Sequence, residues 1–261
     1  VMFGQSLSEN PIQKIRSQYK PTSSEKALRN ALGATDLKAL AVNQDNRQEL
    51  NTFFSNEVPG KGITDQESSG RCWLFTGTNV MRAKIIADHN LPDFRLSQVY
   101  LFFWDQLEKS NLFLQGVIDT RNKPMDDKMV EWLFKNPIGD GGQFTGISDL
   151  TAKYGIVPLA IMPETYISNN TSQFSRLLES KLREYAISLR DDKKSSVKAL
   201  IGKKEEMLKT IYRMLATAYG EPPTEFDFAF KDKEGKYLSA PKHYTPQSFY
   251  KEMIGENLNE N

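Results

Sequence analysis

The strongest constraint on this chain is a helix too apolar to lie on a surface. CWLFTGTNVMRAKIIADHN, residues 72–90, has helical spacing, and Trp73, Phe75, Val80, Met81, Ile85 and Ile86 cover too much of its circumference for one narrow stripe. Such a helix is expected to be buried on most sides and to stop near Asn90. The next segment, LSQVYLFFWDQLEKSN, offers Ser97 as an N-cap and runs apolar from Tyr100 to Trp104, which predicts a second core helix. DDKMVEWLFKN predicts a third, IGDGGQFTG interrupts the helices, and ISDLTAKYG predicts a short one closed by Gly155.

Around this centre the chain changes character. Residues 1–60 are polar, with one helical piece, SSEKALRNAL, in which Ser24 is the candidate cap and Ala27, Leu28 and Ala31 share a face. They are expected to form an arm, followed by a central part over 61–165. The charged amphipathic segments 172–191 and 197–220 fall in a helical subdomain over 166–255. EFDFAFKDKEGKYL alternates around Glu234-Gly235 and predicts a β-hairpin, and TPQSFYKEMIG predicts a last helix with proline near its start and glycine at its end. The fold class is therefore α+β, with many helices and little strand.

With 261 residues, 39% hydrophobic and 11% aromatic, the chain can bury a substantial core. Lys plus Arg number 34 against 33 for Asp plus Glu, so net charge supplies no drive toward nucleic acid or a membrane surface. No apolar run approaches the roughly 20 residues of a membrane span, and VMFGQSLSEN lacks the pattern of a signal peptide; a chain beginning at Val1 reads as a cut or tagged end. A single cysteine excludes an intramolecular disulfide and a thiolate zinc cluster, and it fits a reducing, cytoplasmic setting. No phosphate loop or metal-ligand spacing occurs, so no metal and no cofactor are expected. The triplets beginning at Asn169 and Asn170 match a glycosylation acceptor, which has meaning only in a secreted protein. Glu205 and Glu206 are neighbours that point different ways on a helix, a poor acid/base pair.

The chemistry-bearing stretch is DQESSGRCWLF, residues 65–75, where a polar loop meets the start of the apolar helix at Cys72. Helix N-termini favour a thiolate, because the dipole and free N–H groups stabilise negative charge. Gln66 could turn an amide N–H toward the oxygen of a carbonyl under attack, beside the Cys72 N–H, and Gly70 lets the loop turn tightly. A lone cysteine at a helix start is also, more simply, a small buried apolar residue.

The wider pattern resembles the bleomycin hydrolase and aminopeptidase C family of papain-like cysteine peptidases. KGITDQESSGRCWLF, LSQVYLFFWDQLEKSN, DGGQF, AKYGIVP and HYTPQSFYKEMIG carry the likeness in order, over about residues 55–255. Ser69 stands where papain has a cysteine, Arg71 where a small residue is usual, and Phe144 where the family has tryptophan. The resemblance implies a papain-like fold with added helices, Cys72 as nucleophile, Gln66 as oxyanion donor, and Gly141 and Gly142 as backbone partners of a peptide substrate. Trp73 is expected to be core packing. Removal of residues from peptide N-termini and a homo-hexameric ring are likewise implied by resemblance alone.

A cysteine peptidase also needs an imidazole and an asparagine to orient it. His89 ends the helix that Cys72 begins, about 25 Å away at 1.5 Å per residue. His243 lies in a segment that resembles the family's pre-helix sequence, not its catalytic histidine, and no Asn-Ser-Trp motif occurs. The strand-rich half of the fold is therefore expected to be largely missing. A peptidase completed by another segment, a non-catalytic interaction module and a nucleic-acid binder are the three functional readings, the last opposed by the balanced charge.

Overall fold

The computed structural model describes residues 7–48, 51, 53–56, 62–255 and 258. The chain divides into two compact units, Val1–Glu57 and Val58–Asn261. In the first, α1 (Glu9–Gln18), α2 (Ser23–Ala34), α3 (Leu37–Leu40) and α4 (Gln44–Gln48) follow one another, and α1–α3 bury no residue. The cap of α2 is Thr22, not Ser24. Its hydroxyl accepts from Glu25 N at 3.2 Å while Thr22 N donates to the Glu25 carboxylate at 2.6 Å. The glutamate three residues on makes Thr22 the better choice, since only that pairing satisfies two orphan N–H groups at once.

The second unit is mostly helical. It holds α5 (Cys72–Asp88), α6 (Gln98–Asp119), α7 (Lys128–Lys135), α8 (Phe144–Tyr154), α9 (Tyr166–Asn169), α10 (Ser172–Asp191), α11 (Val197–Tyr219), β1 (Phe226–Phe228), β2 (Lys242–Tyr244) and α12 (Pro246–Met253). Ser97 caps α6 as expected, accepting from Tyr100 N at 3.2 Å, and Asn90 ends the α5 region with φ +47°. The hub is α6, against which α5, α7, α8, α10 and α11 pack. Its Val99, Leu101, Phe102, Phe103, Leu114 and Val117 are all 1% exposed or less. From α10 come Leu178, Leu182, Ala186 and Leu189, and from α11 Leu200, Ile211 and Leu215, all fully buried. The α10 residues fall at i, i+4, i+8 and i+11 and those of α11 at i, i+11 and i+15, each one stripe of an amphipathic helix, and both stripes join the same core as α5 and α6.

Among the described residues the first unit holds four helices where one helical piece was expected, and in the second unit two expectations change. Val80, expected in the core, is 59% exposed. With Cys72 and Thr76 it forms one open stripe at i, i+4 and i+8 on a helix otherwise well buried. The turn at Glu234-Gly235 is present, with Gly235 at φ +81° and Asp232 Oδ1 accepting from Glu234 N and Lys236 N, each at 2.9 Å. Residues 236–238, however, make only the single bridge Lys231↔Tyr237. The antiparallel partner of β1 is β2, in the register Phe226↔Tyr244, Asp227↔His243 and Phe228↔Lys242. Aromatic packing explains the choice, because this pairing brings Phe226 and Tyr244 to 5.9 Å and sets both against Phe249 of α12.

Candidate active site

Cys72 is the first residue of α5 and its thiol is exposed, whereas Arg71 before it and Trp73 after it are buried. The reading of Cys72 as a buried apolar thiol is therefore excluded. Arg71 occupies the N-cap position but gives the first turn no side-chain hydrogen bond, so the helix opens on Cys72 without a side-chain cap. The loop before it is tightly folded. Gln66 Nε2 donates to the Ser69 carbonyl and Ser69 Oγ to the Gln66 carbonyl, both at 2.6 Å. Glu67 takes φ +53° between them, its N–H donating to Asp65 Oδ1 at 2.8 Å. One of the two Gln66 amide hydrogens is thus engaged within its own loop, and an amide has a second to offer.

Arg71 is what anchors this loop. Its side chain is fully buried, pairs with Glu164 at 2.7 Å, reaches Asn169 Oδ1 at 3.3 Å, and donates through Nε to Ser69 Oγ at 2.9 Å. Its guanidinium lies 5.2 Å from the Phe75 ring centroid and 5.5 Å from that of Phe102. Glu164 in turn accepts from Val99 N at 3.1 Å and Ser168 Oγ at 2.6 Å. The backbone adds Ser68 N to Asn169 O at 2.9 Å, so residues 68–71 are stitched to 164–171. Asn169 thus accepts through both its backbone carbonyl and its side-chain oxygen. In the sequence Arg71 is visible only as a departure from the usual small residue, with no hint of its partner 93 positions on.

The glycine loop reaches the nucleophile through Asp140. Asp140 Oδ2 accepts from Gly70 N at 3.2 Å and Thr171 Oγ1 at 2.5 Å, and its carbonyl accepts from the Trp73 indole N–H at 2.8 Å. Gly70 is required here, since a Cβ would come within 2.8 Å of Asp140 Cβ. Gly142 faces the Trp73 ring, where a Cβ would sit 2.6 Å from its carbons, whereas a Cβ at Gly141 would meet nothing. The glycine at 142 thus has a reason inside the protein as well as toward a substrate. Gly141 gives its carbonyl to Lys109 Nζ at 2.7 Å, while among the described residues no partner takes the Gly142 N–H or C=O. Trp73 is core packing as expected, 8% exposed, and is also the spacer between the nucleophile helix and the glycine loop.

Beneath the loop, Asp105 is 7% exposed and pairs with Lys109 at 2.7 Å. Burial outweighs the lysine and pushes its carboxyl up to about 6. The native state therefore binds this proton more tightly than the unfolded chain, and the stability it contributes is full at low pH and lost as pH rises through about 6. We expect Asp105→Asn to flatten that segment of the profile. The difference in urea midpoint between variant and wild type, measured from pH 4 to 7, should change with pH; a constant difference would rule out a titrating Asp105.

Neither histidine meets Cys72. His89 is the C-cap of α5 and stacks on Phe230 at 4.9 Å. His243, on β2, holds Asp227 through Nδ1 at 2.9 Å and Glu225 through Nε2 at 3.4 Å, and the hydrogen bond it donates to the Asp227 carboxylate raises its pKa. Its hairpin packs on Phe94, just beyond the C-terminal end of α5. Both imidazoles thus belong to the end of the helix opposite the thiol.

The chain's likeness to known proteins agrees with this geometry. It is 36% identical over 257 residues to aminopeptidase C of Streptococcus thermophilus, covering 98% of this chain and 58% of that protein. Human bleomycin hydrolase is 35% identical over 250 residues, covering 93% and 54% respectively. The crystal structure of PepW from Lactobacillus rhamnosis HN001 matches with TM-score 0.86 and 38% identity over 97% of this chain and 57% of that one. The chain therefore spans little more than half the length of these relatives. The papain-like fold is shown, mostly helical with a small sheet. The Peptidase C1-like profile matches residues 6–261, and the chain belongs to that family.

Proposed function

We propose that this chain carries the nucleophile-bearing part of a cysteine aminopeptidase acting on peptide N-termini. The observation that carries the reading is the exposed Cys72 thiol at the N-terminus of an otherwise buried helix, with a folded Gln66 loop on one side and the glycine loop on the other. In the reaction, the Cys72 thiolate attacks the carbonyl carbon of the scissile bond. Negative charge developing on the oxygen is met by the Cys72 N–H and the second amide hydrogen of Gln66. The amine leaves with a proton, and water then hydrolyses the thioester. Gly142, with its backbone groups uncommitted, pairs with the substrate main chain in the manner of an added strand.

Because both histidines lie at the wrong end of α5, the imidazole that forms the ion pair and protonates the leaving amine comes from a segment other than these 261 residues. The open stripe Cys72–Thr76–Val80 supports this reading. So does Ile63, 91% exposed beside Thr64, whose hydroxyl accepts from Asn79 of α5 at 2.7 Å. Such a face suits a second layer of protein.

The test uses the longer polypeptide that includes a histidine-bearing segment. Aminoacyl-aminomethylcoumarin is expected to be hydrolysed and its N-acetylated form spared, with activity falling in proportion to Cys72 alkylated by a haloacetamide. Full activity after complete alkylation would sink the nucleophile assignment, and equal cleavage of the acetylated substrate would sink the aminopeptidase one.

A further inference from the structure

We propose that Lys109, held by Asp105, is a positioning residue that sets where the glycine loop presents its backbone to a bound peptide; this rests on the peptidase reading of the Cys72 site. An ammonium has three N–H groups, and here each has a partner. Lys109 Nζ donates to Asp105 Oδ2 at 2.7 Å, to Gly139 O at 2.9 Å and to Gly141 O at 2.7 Å. Gln106 Nε2 adds a donor to Gly139 O at 3.1 Å and to Asp105 Oδ2 at 3.1 Å. Two carbonyls of one loop are therefore hung from a single turn of α6, the most deeply packed helix of this unit.

An ordinary i,i+4 pair on a helix surface turns its charges to water and contributes little. This one differs, because the carboxylate is buried and the ammonium is turned onto the loop, 5.5 Å from the Trp73 ring centroid. The consequence for the site is steric and chemical together. Lys109 commits the Gly141 carbonyl, which leaves the Gly141 N–H and the backbone of Gly142 as the parts of the pair that can bond a substrate. Trp73, one residue after the nucleophile, contacts the same loop at Asp140 and Gly142. The loop is thus held by a cation on α6 and an indole on α5, and its distance from Cys72 is set by two helices. Burial that raises the Asp105 carboxyl is the cost of fixing the ammonium in place.

Lys109→Met in the longer polypeptide tests this, with Asp105→Asn as a milder variant that keeps both lysine–carbonyl bonds. Three quantities are read: KM and kcat for aminoacyl-aminomethylcoumarin, the rate of Cys72 alkylation, and the concentration of dialanine that protects half of Cys72 from alkylation. We expect Lys109→Met to raise KM and the protecting concentration roughly tenfold, the scale of a misplaced binding group, with kcat changed less than about threefold and alkylation without peptide unchanged. Asp105→Asn should move both in the same direction by a smaller factor, and it carries the test if the methionine variant does not fold. Unchanged KM and protection in a folded variant overturn the proposal, and so does a fall in kcat with KM held. A wild type that binds dialanine but hydrolyses nothing defeats the peptidase reading, and the protection measurement then decides the role of Lys109 by itself.

Discussion

On the proposed reading, replacing Cys72 with alanine in the longer polypeptide is expected to abolish peptide hydrolysis, a loss of about 10⁶-fold, the scale at which removal of a covalent nucleophile leaves only binding and oxyanion stabilisation behind. The same change should leave folding almost untouched. Cys72 is exposed, and the packing of this junction is done by its neighbours, Arg71 at 0% exposure and Trp73 at 8%. Surface substitutions of this kind usually move stability by no more than about 0.5 kcal/mol. A urea melt read beside the hydrolysis assay separates the two effects. Residual turnover near the wild-type rate would show that another group is the nucleophile, and a large stability loss would show that the thiol is a packing element after all.

Arg71→Met is expected to do the reverse, unfolding the site without touching a reacting atom. Removing the guanidinium strands the Glu164 carboxylate, of which only 18% of the side chain reaches water, and breaking a buried pair in this way typically costs about 3–5 kcal/mol. The same substitution frees Ser69 Oγ and Asn169 Oδ1 of their arginine contacts, so the loop carrying Gln66 loses its tether. Glu164 keeps Val99 N and Ser168 Oγ as partners. Combining Arg71→Met with Glu164→Gln should therefore recover part of the loss, because the amide carries no charge to desolvate while still accepting one hydrogen bond. The measurement is a double-mutant cycle from urea unfolding. A single-variant loss below about 1 kcal/mol would mean that water or a relaxed rotamer satisfies the carboxylate.

These two expectations show where the sequence could and could not be read. Cys72, Gln66 and the two glycines stand out locally, because a helix start, a tight loop and a GDGG run have short-range signatures and a resemblance that joins them. Lys109 and Asp105 have no such mark. An i,i+4 lysine and aspartate on an amphipathic stretch read as a solvated face, and only the fold turns that face onto the glycine loop. Arg71 looked like a blemish in the motif, since its partners lie 93 and 98 residues downstream.

The hairpin makes the same point for architecture. Alternation and the Glu234-Gly235 turn are local, and both are present. Register is not local. A strand pairs where its buried face finds other apolar rings, and for Phe226 and Phe228 that was Tyr244 and Phe249, beyond the nearest alternating residues. The cap of α2 differs from its expectation by two residues for a similar reason, because two adjacent serines and a threonine compete and the glutamate spacing chooses between them.

By itself, then, the sequence determined the main helices of the second unit, the Ser97 cap of α6 and which thiol stands at a helix start, all of which depend on residues within a few positions of one another. Tertiary structure alone decided that the thiol faces outward, that His243 joins His89 at the far end of its helix, and that a lysine and a buried arginine hold the loops on either side. Those outcomes depend on which distant side chains share a low-dielectric space, and burial free energy is a property of the packed whole that no local pattern encodes.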